Sequence, residues 1–415
     1  MNDMIYLDHN ATTQPAGEVI EEMTESLRIV WANPSSTHVP GQAARRALAD
    51  ARTRVATFLG CQGAELVFTS GATEANHMAI LGALALGKAN GRQRLVMSAV
   101  EHPGMLALAD KLRTEGITVD LIPVNARGEL DLEAARALIS SDVALVSVMG
   151  ANNETGVLMP TAELAALAHA AGTWLHVDAT QLVGKTTARF STSGADLWSV
   201  SAHKVHGPKG VGALIIRKGL SRPPGRPKDD APPGGRSAEA GSGGPVVWPA
   251  LFSGRQERNR RGGTENLPGI VGFAAAAERA GLTLANDVSH MLALQTRLEA
   301  GLRSALPAIH LYGDGATRLP NTSCLRFATL DAEQVLGKLE RAGVMASSGA
   351  ACTASGTQPS HVLLAMGEPA LHAKASVRLS IGRETTADDI DKTIEAAVRV
   401  IGPLLTEIPT EALAA

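Results

Sequence analysis

Seven short apolar runs lie between residues 65 and 217, and helix-like stretches separate most of them. This alternation restricts the fold more than any other feature of the sequence. The runs are ELVFT (65–69), RLVMS (94–98), ITVDLIP (117–123), VALVSVM (143–149), WLHVD (174–178), LWSV (197–200) and VGALIIR (211–217). Strands that are apolar along their whole length indicate a mainly parallel sheet that helices cover on both faces. Ligands of such sheets bind where loops leave the carboxyl ends of the strands.

The length of the chain and a change of pattern in its last third predict two domains. At 415 residues the chain is longer than one hydrophobic core usually serves. We expect residues 15–286 to form the larger domain, in which the Pro-, Gly- and Ser-rich stretch 218–246 is a flexible surface insertion. Residues 1–14 and 287–415 are expected to form a smaller α+β domain. Its predicted strands are 321–327 and 376–381, and its predicted helices are 332–342 and 387–401.

Charge and cysteine content exclude several classes of protein. The 38 basic residues nearly balance the 41 acidic ones, which argues against binding to nucleic acid or to a membrane surface. No window reaches the roughly 20 apolar residues of a membrane-spanning helix. The three cysteines lie far apart without a CxxC pair, so we expect neither a disulfide framework nor a zinc site. Since the N-terminus lacks the pattern of a signal peptide, we predict a cytoplasmic protein.

Lys204 stands in the segment WSVSAHKVHGPKGVGAL, shortly after the strand-like run LWSV. A lysine that forms a Schiff base must lose its proton near neutral pH, and a confined, partly desolvated site favours that loss. Ser201 and His203 are able to hydrogen-bond a phosphate group beside this lysine. A lysine in a glycine-rich loop is also typical of a solvated surface, so the segment alone leaves both interpretations open.

Two further segments favour a phosphate-bearing cofactor beside Lys204. FTSGATEAN (68–76) leads from a strand into a helix. Backbone N–H groups and the Thr73 hydroxyl form there either a phosphate cradle or an ordinary helix cap. WLHVDATQ (174–181) places Asp178 at the end of a buried strand, where its carboxylate needs a partner. A pyridinium nitrogen is such a partner, although a helix-capping role would also explain this aspartate.

Nine motifs, taken in order along the chain, resemble those of the cysteine desulfurases. They are YLDHNATT (6–13), NPSSTH (33–38), TSGATEAN (69–76), EH (101–102), NNETG (152–156), HVDATQ (176–181), SAHKVHGPKG (201–210), RRGGTEN (260–266) and SSGAACTASG (347–356). The chain is similar to the NifS/IscS type, within the aminotransferase class V group of fold-type I pyridoxal-phosphate (PLP) enzymes. The resemblance implies an α/β fold of the PLP-dependent transferases. This fold has a large domain with a mainly parallel seven-stranded sheet and a smaller α+β domain.

The same resemblance implies roles for individual residues. Lys204 would carry PLP, Asp178 would pair with its pyridine nitrogen and His102 would stack on the ring. The other implied cofactor ligands are Gln181 at the ring hydroxyl, Asn153 beside cofactor and substrate, and Ala72, Thr73, Ser201 and His203 at the phosphate. Thr264 would reach the phosphate across a dimer interface, which implies a homodimer. Arg378 would bind the carboxylate of L-cysteine, since guanidinium matches a carboxylate with two parallel hydrogen bonds.

Cys352 is the residue that narrows the implied reaction. Its segment, MASSGAACTASGTQP, is small and polar, which suggests a mobile loop, whereas we expect Cys61 and Cys324 to be inert core residues. The resemblance implies that the Cys352 thiolate accepts the sulfur of L-cysteine as a persulfide and that L-alanine leaves. Lys204 and His102 would move the protons. The sulfur would pass to an iron–sulfur scaffold protein, and Cys352 is also a candidate transient ligand of the cluster.

Other functions remain open at this point. A selenocysteine lyase or another class V PLP enzyme would share most of these motifs, although an aminotransferase needs no cysteine in the segment 347–356. A catalytically silent protein of the same fold is disfavoured, because every cofactor residue of the pattern is present. RRGGTEN favours a nitrogen-fixation role over a housekeeping role in cluster assembly. The sequence does not identify the sulfur acceptor.

Overall fold

The computed structural model describes residues 4–88, 91–220, 256–306, 309–349 and 358–406. The strands in these ranges form sheets of seven, four and two strands. The seven-stranded sheet contains β2 (Leu66–Thr69), β3 (Arg94–Ser98), β4 (Thr118–Ile122), β5 (Val143–Met149), β6 (Trp174–Asp178), β7 (Leu197–Ser201) and β8 (Gly212–Ile216). The smaller sheets contain β1 (Ile5–Tyr6), β9 (Ile309–Tyr312), β10 (Thr322–Phe327), β11 (Val344–Met345), β12 (Ser347–Ser348) and β13 (Ser376–Ser380).

Helices connect these strands and cover the sheets. The helices of the first half are α1 (Gly17–Ile29), α2 (Val39–Leu59), α3 (Ala72–Lys88), α4 (Pro103–Thr114), α5 (Leu132–Leu138) and α6 (Thr161–Ala170). A helix of 39 residues, α7 (Leu267–Ala305), follows. The remaining helices are α8 (Ala332–Arg341), α9 (His361–Ala365), α10 (Ala370–Lys374) and α11 (Ala387–Thr406).

The seven-stranded sheet has the order β2-β8-β7-β6-β5-β3-β4. Neighbouring strands from β7 to β4 pair in parallel, whereas β8 is antiparallel to both of its neighbours. The connection from β7 to β8 is short and contains no crossover helix, which requires an antiparallel return. Each strand begins and ends within one residue of an apolar run in the sequence. The predicted mainly parallel seven-stranded sheet is therefore confirmed.

Apolar side chains on the two faces of this sheet form two layers of core. Leu66 and Val96 point to the face covered by α2, α6 and the start of α7. Val67 and Leu95 point to the opposite face, where α3 and α4 pack. Neighbouring residues of one strand alternate between these layers. Because both layers are apolar, the strands contain few polar positions until they reach their carboxyl ends.

A second hydrophobic core lies at the other end of α7. Met291, Leu298 and Leu302 on this helix pack with Leu7 and with the apolar faces of β10, β13, α8 and α11. No residue of α7 between Ala280 and Met291 is buried, so the helix passes from one core to the other through an exposed stretch. The division of the chain after residue 286 stays a prediction, and the insertion predicted at 218–246 lies, from residue 221 onward, outside the described residues.

The carboxyl ends of the parallel strands meet at one edge of the large sheet. Asp178 ends β6, and Ser201 ends β7. The N-terminal segment runs along this edge, because the Thr13 N–H donates to the carbonyl of His203 (2.9 Å) and the Ala16 N–H donates to that of His206 (3.1 Å). The edge is therefore lined both by strand ends and by residues that precede α1.

Gly212 tests how closely the backbones approach at this edge. A Cβ atom added there would lie 2.4 Å from the Val200 carbonyl oxygen and 2.8 Å from the Gly71 Cα. Both atoms belong to backbone, so Gly212→Ala must displace a strand, and we expect a loss of about 1–3 kcal/mol in the free energy of unfolding. Urea denaturation measures this loss.

Gly17→Ala is the matched control, because a Cβ atom at Gly17 would meet nothing within 4 Å. This variant should keep the wild-type stability or gain slightly. Equal stability of the two variants would show that the backbones near Gly212 are not in tight contact.

Candidate active site

A cavity of about 610 Å³ opens at the carboxyl edge of the large sheet. Ten of the twelve residues that the sequence singles out line it: Ala72, Thr73, His102, Asn153, Asp178, Gln181, Ser201, His203, Lys204 and Arg378. They come from six separate segments of the chain, which the strand order brings together. The structure therefore places these residues in one site.

The two remaining predicted residues are Thr264 and Cys352. Thr264 is exposed and lines a separate cavity of about 110 Å³, which shares Ser70 and Gly210 with the larger one. Cys352 lies outside the described residues, so its role as a cluster ligand stays a prediction. Within the described ranges, no group of His, Cys, Asp and Glu side chains could hold a metal ion.

Lys204 closes a single turn of 3-10 helix, Ala202–Lys204, directly after β7. Its ammonium group donates hydrogen bonds to the backbone carbonyls of Asn10 (2.6 Å) and Ala11 (2.7 Å). Sequence reasoning assigned no role to either residue, although both lie in the motif YLDHNATT. Carbonyl groups of the N-terminal segment thus fix the lysine at the cavity wall.

Asp178 accepts two hydrogen bonds from neutral donors. Asn76 Nδ2 donates to Oδ2 (2.7 Å), and the Thr180 N–H donates to Oδ1 (3.0 Å). The bond from Thr180 closes a turn after β6, and no helix begins there, so the helix-capping interpretation of Asp178 is wrong. No basic side chain of the described residues forms an ion pair with Asp178, although the residue is only 8% exposed. A buried carboxylate without a cation favours a positively charged ligand beside it.

The start of α3 supplies donors at the other side of the cavity. The first N–H groups of a helix have no acceptors within it, and the helix dipole favours an anion there. Ala72 and Thr73 occupy this first turn. A Cβ atom on Gly71 would lie 3.8 Å from Ser201 Oγ, so the hydroxyl of β7 faces the same space. This set of donors suits a phosphate group.

His102 and His203 contribute neutral imidazoles at neutral pH. Burial lowers the pKa of His102 below its ordinary value; the charge of Asp178 opposes this and Lys204 adds to it. Burial also lowers the pKa of His203 to about 4, and Lys204 contributes to that shift. His102 Nδ1 accepts from the Gly104 N–H (3.2 Å) as the cap of α4. Its other nitrogen, Nε2, then carries the proton.

Arg378 projects from β13, which belongs to the smaller sheet. Its Nη1 donates to the Asn153 carbonyl (3.0 Å) and its Nη2 pairs with Asp8 (2.7 Å). Nε is buried and has no hydrogen-bond partner among the described residues. The guanidinium group therefore retains a donor. Asp8, the partner of Nη2, is a residue that sequence reasoning missed.

A row of polar side chains crosses the sheet behind the site. The His176 ring bonds Ser147 Oγ through Nδ1 (2.8 Å) and Ser199 Oγ through Nε2 (2.8 Å). Burial lowers the pKa of His176 to about 4, so the ring is neutral and each nitrogen has one partner. This row links β5, β6 and β7 at the level of His176, two residues before Asp178 in β6. The strands were predicted from their apolar residues, and that pattern does not indicate this row of polar side chains.

The fold and the site define an α/β enzyme with a partly buried lysine and a buried aspartate at the carboxyl edge of the sheet. This is the arrangement of the fold-type I PLP-dependent transferases. The aminotransferase class-V family profile matches residues 5–393. The chain belongs to that family.

Individual relatives agree with this assignment. A cysteine desulfurase of Cereibacter sphaeroides is 43% identical over 404 residues, which cover 97% of each chain. The cysteine desulfurase NifS of Azotobacter vinelandii is 39% identical, over 98% of this chain and 94% of the relative. A solved NifS-like protein superimposes with a TM-score of 0.83 at 32% identity, over 96% of this chain and 99% of that one. These similarities confirm the resemblance that the motifs indicate. In the described part of the chain, no helix is long and apolar enough to cross a membrane.

The two described cysteines test how burial controls thiol reactivity. Burial raises the pKa of Cys61 to about 12 and raises the pKa of Cys324 still further. Because only the thiolate reacts, we expect native labelling by iodoacetamide at pH 8 to be slower at both than at a free thiol, by about 10³-fold or more. Peptide mass spectrometry measures the rates.

The urea-unfolded protein is the reference for this measurement. Both cysteines should label readily there, since unfolding restores the ordinary thiol pKa. Native labelling of Cys61 or Cys324 as fast as in urea would contradict the inert role that we assign to them.

Proposed function

We propose that this protein is a PLP-dependent cysteine desulfurase that converts L-cysteine to L-alanine and transfers the sulfur to Cys352. The observation that carries the proposal is the single cavity in which Lys204, Asp178, His102 and Arg378 face one another. The names of the relatives support the choice of reaction. The family supports the cofactor, as a property shared by its members.

The donors and charges of the cavity fit the chemistry of PLP. Ala72, Thr73 and Ser201 would hold its phosphate at the start of α3, and Asp178 would pair with its pyridine nitrogen. His102 would pack on the ring. When bound, the cofactor supplies an electron sink that weakens the bonds at the substrate's α and β carbons. Asp178 strengthens that sink because it keeps the ring nitrogen charged.

The chain's own residues bind the substrate and move its protons. Arg378 would take the carboxylate of L-cysteine through its free Nε and through the Nη2 that now pairs with Asp8. Two parallel hydrogen bonds to a carboxylate fix its orientation. Lys204, once released from the cofactor, would remove the Cα proton as a general base. His102 would pass its Nε2 proton to the substrate and then take the proton of the substrate thiol on the same nitrogen.

Cys352 would complete the sulfur transfer. Its thiolate attacks the sulfur atom of the substrate, a new S–S bond forms and the Cβ–S bond breaks. The electron pair of that bond stays with the substrate carbon, which takes up a proton, and L-alanine leaves. The products are one alanine and one Cys352 persulfide for each cysteine consumed, so no external oxidant or reductant is required.

The same proposal extends to assembly and cellular role. Thr264 is exposed and lies outside the main cavity, which supports a contribution to the phosphate site of the partner in a homodimer. We propose that the sulfur passes to a scaffold protein for iron–sulfur clusters and that Cys352 contacts the cluster as a transient ligand. A nitrogen-fixation role is the form that the RRGGTEN segment favours. A reducing cytoplasm would keep the Cys352 thiol free.

Lys204→Ala tests the cofactor assignment. The variant lacks the amine that binds the cofactor, so the visible absorbance of the lysine-bound cofactor should disappear after incubation with PLP and gel filtration. An absorption spectrum measures it. Lys218→Ala is the control, because Lys218 is exposed at the far end of β8, and its spectrum should match that of the wild type. An unchanged spectrum of Lys204→Ala would exclude Lys204 as the anchor.

Cys352→Ala tests the sulfur acceptor. This variant should keep the cofactor absorbance and still respond spectrally to L-cysteine, but alanine formation should fall by about 10²-fold or more, because the covalent step has lost its nucleophile. Quantitative amino-acid analysis measures the alanine. Cys61→Ala should retain wild-type turnover. Normal turnover by Cys352→Ala would refute the persulfide role, and activity on selenocysteine alone would indicate a selenocysteine lyase.

A further inference from the structure

A second lysine lies beneath the floor of the cavity. Lys185 is only 4% exposed, and its side chain ends between Gln181 and Asn10. Its Nζ donates to Asn10 Oδ1 (2.9 Å) and to Gln181 Oε1. No carboxylate forms an ion pair with it anywhere in the described ranges, which is unusual because a buried charge requires a partner.

The surroundings of Lys185 disfavour a positive charge on its amine. Burial lowers the pKa of Lys185 well below its ordinary value, and the nearby cations Lys204 and Arg378 add to this shift. The Nζ atom donates to two acceptor oxygens, one on Asn10 and one on Gln181. Lys185 thus serves here as a hydrogen-bond donor to both side chains.

The hydrogen-bond partners of Gln181 allow its side-chain amide only one orientation. The Asn10 carbonyl can only accept, and Gln181 Nε2 donates to it (3.1 Å). The opposite end, Oε1, receives the bond from Lys185. A flipped amide would set two oxygens against each other and leave a donor of Lys185 without an acceptor. Gln181 is 6% exposed and lines the cavity, so the second N–H of Nε2 is the polar group that it can offer there.

We propose that Lys185 is a positioning residue that fixes the amide of Gln181, so that an N–H of this side chain, and never its oxygen, faces the ring oxygen of the cofactor. This inference rests on the proposed PLP function and adds a residue to it. A hydrogen-bond donor at the ring oxygen would stabilise the negative charge of that oxygen. The charge would then favour less strongly the proton on the neighbouring nitrogen, which joins the cofactor to Lys204. The pKa of that nitrogen would therefore be lower.

Lys185→Met tests this effect by spectroscopy. Methionine has similar length but no donor, so Gln181 loses the bond that holds its oxygen away from the ring. We expect the pH midpoint of the visible absorbance of the PLP-loaded enzyme to rise by about one unit, the size of one lost hydrogen bond to a charged group. Lys218→Met, at an exposed lysine, should keep the wild-type midpoint. An unchanged midpoint in Lys185→Met would overturn the proposal.

A double-mutant cycle separates positioning from a direct charge effect. Gln181→Ala removes the amide through which Lys185 is proposed to act, so adding Lys185→Met to it should give no further change of midpoint. If the lysine instead acted through its own charge, Lys185→Met would raise the midpoint as much in the Gln181→Ala background as in the wild type. That result would contradict the positioning role.

If Lys185→Met fails to fold, the wild-type enzyme still tests the role of Lys185. Neutron diffraction of the PLP-loaded protein should show a deuteron of Lys185 Nζ directed at Gln181 Oε1 and the nitrogen of the Gln181 amide beside the ring oxygen. The amide oxygen in that place would overturn the proposal. Failure of the proposed function has a different signature, since wild-type protein that neither binds PLP nor makes alanine would refute the function itself.

Discussion

Hydrogen bonds around Asn10 hold together the parts of the molecule that form the active site. Its backbone carbonyl accepts from Lys204 and Gln181, both from the loops of the large sheet. Its side-chain Nδ2 donates to Thr322 of the smaller sheet (2.9 Å), and its N–H donates to Ser380 (2.9 Å). A residue that is 1% exposed thus connects both hydrophobic cores. Because unmade buried hydrogen bonds are costly, these bonds specify one relative position of the two parts.

The position of the residues at the candidate active site follows from this connection. The large sheet alone supplies Lys204 and Asp178, whereas Arg378 comes from β13 of the smaller sheet. Asn153 lies between them, since its carbonyl accepts from Arg378 (3.0 Å) and from Asn10 (3.2 Å). The proposed substrate site and the proposed cofactor site therefore share a single set of buried hydrogen bonds. Lys185 extends the same set beneath Gln181.

The sequence predicted the large sheet well because its signal is local. Each strand is a short run of apolar residues, and both faces of the sheet are buried, so the runs and the strands coincide. The exception is the direction of β8, which depends on the short connection after Lys204 and not on the residues of the strand. Lys204 and Asp178 could also be predicted from the sequence, because each stands at or just after the end of a buried strand. Both therefore lie at the carboxyl edge of the sheet.

The residues that support the site could not be predicted in this way. Asn76 and Asp8 pair with residues far away in the chain, as does Lys185 in its bond to Asn10; Asp8 and Arg378 are 370 positions apart. Such pairs have no periodicity and no fixed spacing that a single sequence could reveal. Asn76 and Asp8 lie inside motifs that carry the family resemblance, which was the only available signal. Among the cysteines, burial raises the pKa of Cys61 and of Cys324 and so predicts that both are poor nucleophiles, while the role of Cys352 rests on resemblance.

In the proposed reaction, sulfur from L-cysteine becomes covalently attached to Cys352. The most direct measurement mixes the purified, PLP-loaded protein with one equivalent of L-cysteine labelled with a heavy sulfur isotope, then traps thiols and persulfides and locates the label by peptide mass spectrometry. We predict one labelled sulfur atom on Cys352 for each alanine released, and none on Cys61 or Cys324. Alanine formation without label on Cys352, or label on another cysteine, would contradict this account.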